Sequence, residues 1–366
     1  MKIVHFADLH LDAQFAWAGA ALGGKRRQAI RDALVHIVDL AIQERADAIF
    51  CGGDLYEQER FSADTAGFVR GAFERAAPIP VYIAPGNHDW YGPASLYRQM
   101  DWSPNVKLFT SDRLEPVTLR DGLTLWGAAH RAPANTDGFL DDFQVDRGGV
   151  HIALFHGSEQ RLLAFQESGK APHAPFRKEQ IAGAGLAHAF LGHFHTPADD
   201  DMYTYPGNPE PLTFGEEGVR GPVVATIGAD GSVQRDRRRI ATGFVTDVLV
   251  DVTGCASKQD VRQRVREKLA GAGGIVRVTL SGEIDPDVEL GADDVRDVAP
   301  HLDALVPRIG TLHPAYDLDV LAEEPTVRGQ FVKDVRASDV DAAEQRRVLT
   351  VGLRALAGRA DLEVSQ

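Results

Sequence analysis

Five short apolar, β-branched runs in this 366-residue chain each lead into a polar residue of metal-binding chemistry. Ile3-Val4-His5-Phe6 leads into Asp8, Ala48-Ile49-Phe50 into Asp54, and Pro80-Val81-Tyr82-Ile83 into Asn87. Ile152-Ala153-Leu154-Phe155 leads into His156, and Ala189-Phe190-Leu191 into His193. Runs of this kind read as buried strands, and strands that deliver polar side chains at their ends are how open α/β sheets assemble ligand sites. In Asp8-x-His10 and His193-x-His195 the spacing of two puts each pair on one side of an extended backbone. Carboxylates, imidazoles and one carboxamide, with no thiolate among them, suit hard-to-borderline divalent cations. The pattern predicts a dinuclear metal site.

Around these runs the helical period is clear. Lys25 to Arg45 predicts an amphipathic helix with Ile30, Leu34, Ile37, Val38 and Ala41 on its inner stripe. Phe61 to Ala76 predicts another, capped by Ser62, with Phe68, Val69, Ala72 and Phe73 inward. Later strands, Leu123 to Trp126, Val150 to Phe155, Ala189 to Leu191 and Pro222 to Ile227, follow one another more closely. The chain is therefore α/β, βαβ-like at first and mostly sheet afterwards. Past Ile240 the strands Phe244 to Val252 and Ile275 to Leu280 bracket a helix from Lys258 to Ala270 capped by Ser257. The domains expected are 1–240, a small β-α-β cap domain at 241–284, and 285–366, a loop-rich connector leading to a helical tail whose last helix spans Asp339 to Ala357.

The ordered set Asp8-Leu9-His10, Gly52-Gly53-Asp54, Gly86-Asn87-His88-Asp89, His156 and Gly192-His193-Phe194-His195 resembles the calcineurin-like metallophosphoesterase family, from Met1 to about Ile240. The resemblance implies two packed sheets flanked by helices and two divalent metal ions, manganese by preference. It implies Asp8, His10 and His195 as ligands of one metal, Asn87, His156 and His193 as ligands of the other, and Asp54 as the bridge. It gives His88 the part of the catalytic histidine. Two such cations can polarise a phosphoryl group and bring a bridging water towards hydroxide. His88 would then stabilise or protonate the leaving side. Asp89 reads either as an orienting partner of His88 or as an ordinary turn aspartate.

Within the family, Ala7-Asp8-Leu9-His10-Leu11-Asp12 and Tyr205-Pro206-Gly207-Asn208-Pro209 look like the SbcD-type DNA repair nucleases. The tail from Thr326-Val327-Arg328-Gly329-Gln330-Phe331 to Leu353-Arg354-Ala355-Leu356 is similar to the YhaO-like bacterial members. Ala187-His188 departs from the acidic-aromatic pair often found before the Gly-His-x-His strand, which bears on packing and not on ligands. This branch implies DNA as substrate, an SbcC-like coiled-coil ATPase as partner, and a homodimer as one assembly. The apolar seam Val340, Leu349, Leu353 and Leu356 is then expected to meet a partner helix, the alternative being that it packs on the cap domain. A phosphodiesterase for small substrates or nucleotides is the competing reading, and a binding subunit with a vestigial metal site is a third, which the complete ligand set opposes.

A formal net charge of -14 argues against a protein that grips nucleic acid over its whole surface, so the DNA affinity is assigned to the partner. Two cysteines, Cys51 and Cys255, are too few for a disulfide framework and point to a reducing cytoplasm. Asp8, His10 and Asp12 interrupt any signal-peptide core, and no apolar run reaches membrane-spanning length. For substrate contacts, Tyr56 lines the site or packs beneath it, and Trp90-Tyr91 stack on a base or form an aromatic lid. His130 with Arg131 reaches substrate or sits on a surface loop, and Asn208 completes the candidate contacts. His5 reads as a core residue. His36, His151, His173, His188, His301 and His313 read as structural or solvated.

Overall fold

The apolar runs form strands where the sequence places them. In the computed structural model, which describes residues 1–165 and 172–358, β1 (Lys2–Phe6), β2 (Ala48–Cys51), β3 (Val81–Ile83) and β4 (Val106–Leu108) pair in parallel in that order. A second sheet contains β5 (Glu115–Arg120), β6 (Leu123–Gly127), β7 (Val150–His156), β8 (His188–Gly192), β9 (Ala198–Asp199) and β10 (Tyr203–Tyr205), ordered β5-β6-β7-β8-β10-β9. The chain then returns to the first sheet, where β11 (Val223–Ile227) runs antiparallel to β1 and β12 (Val233–Arg237) antiparallel to β11.

The two sheets pack face to face. Ile3, Phe50, Tyr82, Val223 and Ala225 from the first meet Leu125, Ile152, Leu154 and Phe190 from the second in one buried cluster. Outside the first sheet lie α1 (Ala20–Gln43) and α2 (Ala63–Arg75). All five stripe residues expected of α1 are buried, with Ile30, Leu34, Ile37 and Val38 contributing about 1.5–3 kcal/mol each. Ser62 caps α2 by accepting from Thr65 N, as the sequence predicts, whereas Phe68 stays half-buried under the Arg31 guanidinium. The short helix α3 (Leu96–Gln99) joins this layer, while α4 (Lys178–Gly183) packs Ile181 against the outer face of the second sheet. Two packed sheets flanked by helices are thus the architecture.

Two compact units result, Met1–Thr246 and Asp247–Gln366. The second is built on β13 (Val245–Asp251), β14 (Ile275–Ile284) and β15 (Ala304–Pro314), in that order, with β14 and β15 parallel. The helix α5 (Lys258–Leu269) buries Val261, Val265 and Leu269 against Val250, Val276, Val278 and Leu280. The expected boundary at 284 falls inside this structure. Val295, Val298, Ala299 and Leu302 of the supposed connector join the same core, and β15 is a third strand of the sheet. Pro307, Arg308, Gly310 and His313 hide β15 from any apolar alternation in the sequence.

The tail comprises α6 (Leu318–Glu323), α7 (Val327–Arg336) and α8 (Ala342–Leu356). Leu349 and Leu353 are buried with Leu321, Val332 and Val335. Val340 precedes the helix and is exposed, as is Leu356. The expected four-residue seam is therefore split: its centre is spent on the tail's own core, which a helical period on α8 alone could not reveal. No helix among the described residues is long and apolar enough to cross a membrane.

Candidate metal centre

Both sheets deliver polar side chains at the C-terminal ends of their parallel strands. The expected extended geometry of Asp8 and His10 is not what brings them together. Asp8, His10 and Asp54 all adopt left-handed backbone, with φ of 54°, 51° and 52°. Short polar residues tolerate this conformation at a cost of about 1–2 kcal/mol each. It is held by a ladder between the two loops, in which Asp8 N donates to Gly53 O and His10 N to Asp54 O, both at 2.9 Å. Glycine permits the close approach: a Cβ on Gly86 would lie 2.3 Å from Asp54 Oδ1, and one on Gly192 2.2 Å from Gly52 O.

Hydrogen bonds on the far side of each ring decide what the near side offers. His10 Nδ1 lies 2.7 Å from Glu57 Oε1, and His195 Nδ1 2.7 Å from Glu216 Oε1. A carboxylate can only accept, so both Nδ1 atoms carry a proton and, with the rings neutral, both Nε2 atoms present lone pairs. Those two Nε2 atoms face each other at 3.2 Å. His156 repeats the arrangement: Nδ1 donates to Gly52 O at 2.9 Å, leaving Nε2 3.1 Å from Asn87 Oδ1 and 3.3 Å from Asp54 Oδ2. Burial opposes charge on these rings, yet Asp54 raises His156 to about 9 and Glu216 raises His195, so the cluster draws positive charge, and ring nitrogens fixed by carboxylate or carbonyl partners are the usual support of metal-binding histidines.

Ligand atoms of Asp8, His10 and His195 lie within 4.8 Å of one another, as do those of Asp8, Asp54 and His156. Asp8 accepts from His193 N at 3.0 and 3.2 Å, and burial raises its carboxyl above the usual range, as expected of a carboxylate short of positive charge. Burial also works against ionised Asp54, but His156, His88 and His10 hold its pKa well below normal. The His193 ring is driven well below its normal pKa by burial and then by the charge on His156, so it stays neutral, as a ligand must. Its ring lies 5.2 Å from that of His156.

His88 stands at the edge of this cluster with its side chain 43% exposed. Its Nδ1 lies 3.1 Å from Glu57 Oε2, so one carboxylate holds both His10 and His88. Burial disfavours the charged His88 ring, yet Asp54 and Glu57 outweigh it and carry the pKa up to about 10. The same pair of hydrogen bonds outweighs burial at Glu57 and draws it down to about 2.

A family model for calcineurin-like phosphoesterases matches residues 1–197. The chain belongs to the calcineurin-like phosphoesterase family. The metallophosphoesterase YhaO of Bacillus subtilis (strain 168) is 25% identical over 301 residues, covering 77% of this chain and 72% of YhaO. The DNA double-strand break repair protein Mre11 of Halobacterium salinarum is 25% identical over 379 aligned residues, covering 96% of this chain and 86% of that protein. The Mre11 of Aeropyrum pernix is 26% identical over 272, covering 63% and 59%. This phosphoesterase family is dimetal-dependent, and the chain is a metal-dependent phosphoesterase with clustered residues that could hold the ions.

The remaining expectations for this phosphoesterase divide sharply. Asp89 does not touch the His88 ring. Fully buried, it accepts from Gly86 N at 2.6 Å, Asp54 N at 3.1 Å, Leu55 N at 2.7 Å and Tyr97 Oη at 2.5 Å, tying the Asp54 and Asn87 loops together. The partner of His88 is Glu57, three residues past Asp54. His130 does not lie on the surface: it is buried, with Nε2 2.8 Å from His156 O and Nδ1 2.8 Å from Thr136 Oγ1. Arg131 spends its guanidinium on Tyr91 O and Thr110 O. Tyr56 packs beneath the site, bonded to Gln58 Oε1 and Leu96 N. Asn208 is buried behind His195, donating to Glu216 Oε2 at 2.7 Å. Trp90 alone of the aromatic pair lines the recess beside the cluster, together with His173, whose ring lies 5.4 Å from His193. Glu57 and Glu216 were not singled out by sequence, and His173, read there as structural or solvated, instead lines this recess.

Proposed function

We propose that this chain is a dinuclear phosphodiesterase of the nuclease kind, acting on DNA ends or single strands. Asp8, His10 and His195 would hold one ion, Asn87, His156 and His193 the other, and Asp54 would serve both. The observation that carries the metal reading is the facing Nε2 pair of His10 and His195, each ring fixed from behind by a glutamate. Manganese is the ion proposed, although this O/N set also accepts iron, zinc or cobalt.

When bound, two divalent ions polarise the phosphoryl oxygens and lower the pKa of water held against them. The chain's own residues do the rest. His88, protonated and held by Glu57, is the group placed to neutralise charge on the departing oxygen or to give it a proton. Gly52 O, Glu57 and Glu216 fix the ring orientations in advance, so that little reorganisation is left for the reaction.

The nuclease reading is supported by the Mre11 alignment over 96% of the chain, which extends through both compact units. An SbcC-like coiled-coil ATPase remains the proposed partner and the tail its proposed docking place, on surface that includes exposed Val320, Val327, Val340 and Leu356. The acidity of the chain favours the second reading, a phosphodiesterase for small nucleotides. A manganese-dependent assay comparing linear DNA, bis(p-nitrophenyl) phosphate and nucleotides separates them. Cleavage of DNA together with the aryl ester supports the nuclease. Strong nucleotide turnover without DNA cleavage establishes the small-substrate enzyme.

A further inference from the structure

Beside the ligand cluster lies a recess of about 400 Å³ whose walls include Asn87 and His88 together with Glu57, Glu59, Trp90 and Asn135. That volume is at the small end of ligand sites, enough for one nucleoside-sized group and not for a length of strand. Its chemistry is unusual for a site next to a phosphate. Among the described residues no lysine or arginine lines it, and two carboxylates do. The nearby Arg131 offers nothing in compensation, since Nε donates to Tyr91 O at 3.1 Å and Nη1 to Thr110 O at 2.9 Å. Its guanidinium lies over the Tyr91 ring instead, 5.4 Å from the centroid.

A second phosphate placed here would face Glu57 and the exposed Glu59, and the one cationic side chain of the recess, His88, is already held by Glu57. An aromatic base meets no such penalty, and the half-buried indole of Trp90 offers it a face. Resting on the phosphodiesterase reading above, we propose that the recess binds the terminal nucleoside of the substrate against Trp90, and that Glu57 and Glu59 exclude a terminal phosphate. The substrate class is then nucleotide esters and strand ends that finish in a hydroxyl. Because every base has a π-face, the recess selects for the end and not for the base.

The test is calorimetric binding to the full chain with manganese, using inorganic phosphate, thymidine 5′-monophosphate and thymidine 3′,5′-bisphosphate. The monophosphate should bind about ten-fold tighter than inorganic phosphate, the gain expected of one stacked base. It should also bind tighter than the bisphosphate. Trp90→Ala should remove most of the advantage over inorganic phosphate, and Glu59→Gln should narrow the gap between the two nucleotides. A bisphosphate that binds as tightly as the monophosphate overturns the exclusion. A Trp90→Ala variant with the original ratio overturns the stacking. If neither phosphate nor nucleotide binds in the presence of manganese, the phosphodiesterase reading itself fails.

Discussion

Nε2 of His10 and Nε2 of His195 face each other at 3.2 Å, although the two residues come from different sheets and are 185 positions apart. With both rings neutral and Glu57 and Glu216 taking the Nδ1 protons, neither Nε2 can donate to the other. The pair is therefore a repulsive contact that a cation between the rings converts into an attractive one.

Removing the support should weaken the metal without removing a ligand. Glu216→Gln leaves His195 in place but loses the carboxylate that fixes its tautomer, so metal affinity should fall about 10–100-fold. Asp54→Ala should cost more and affect both ions, since one carboxylate is proposed to serve both. Manganese titration followed by metal analysis checks each. Two full equivalents retained in Asp54→Ala would show that Asp54 is not the bridge.

His88 and Glu57 can be told apart by what each variant keeps. His88→Ala should retain both metals and lose about 10²–10⁴-fold in rate, the range for an acid or charge stabiliser. Glu57→Gln should lose rate and metal together, because Glu57 also holds His10 at 2.7 Å. A paired measurement of turnover and bound manganese decides the matter. Loss of metal in His88→Ala would make His88 a ligand.

Sequence shows the strand ends and fails on what surrounds them. Asp54, Asn87, His156 and His193 were legible because each closes an apolar run. The left-handed backbone at Asp8 and His10 was not, since neither is a glycine and the ladder to Gly53 and Asp54 forms only in the fold. Glu57 and Glu216 escaped notice because each finds its histidine across loops, at sequence separations of 47 and 21. His130 was misread because the loop after its strand turns inward, where Thr136 and His156 take both ring nitrogens. The same limit hid β15, whose place comes from pairing with β14 and not from its own pattern.

Acid should destabilise the fold through two buried histidines. His5 and His188, both buried in the sheets and held to carbonyl or hydroxyl oxygens, are driven down by burial to about 4 and about 3. Unfolded, each titrates near 6.5, about where free histidine does. Between pH 6.5 and 4 the unfolded chain therefore binds more protons, and stability falls as pH falls. Above 6.5 both states hold these rings neutral and their contribution is complete. At mid-window the two together make stability drop by up to about 2.7 kcal/mol per pH unit. Urea denaturation at pH 7 and pH 5 of the parent against His5→Gln and His188→Gln variants measures their share. A ring that titrates near 6.5 in the folded protein would refute the assignment for that histidine.

The tail offers a way to separate self-packing from partner docking. Leu353 is fully buried among Leu321, Val332, Val335 and Leu349, whereas Leu356, less than one turn further along α8, is 44% exposed. Leu353→Ala empties part of a small core and should cost about 2–5 kcal/mol, enough to loosen the tail. Leu356→Ala removes surface that the folded tail does not use, and its stability should stay within about 0.5 kcal/mol of the parent. If the tail docks a coiled-coil ATPase, Leu356→Ala together with Val327→Ala should weaken complex formation while cleavage of bis(p-nitrophenyl) phosphate continues at the parent rate, because both residues lie in the unit without the metal ligands. Co-purification with the ATPase and the aryl ester assay read the two effects independently. Binding at full strength in that double variant would place the partner elsewhere on the chain.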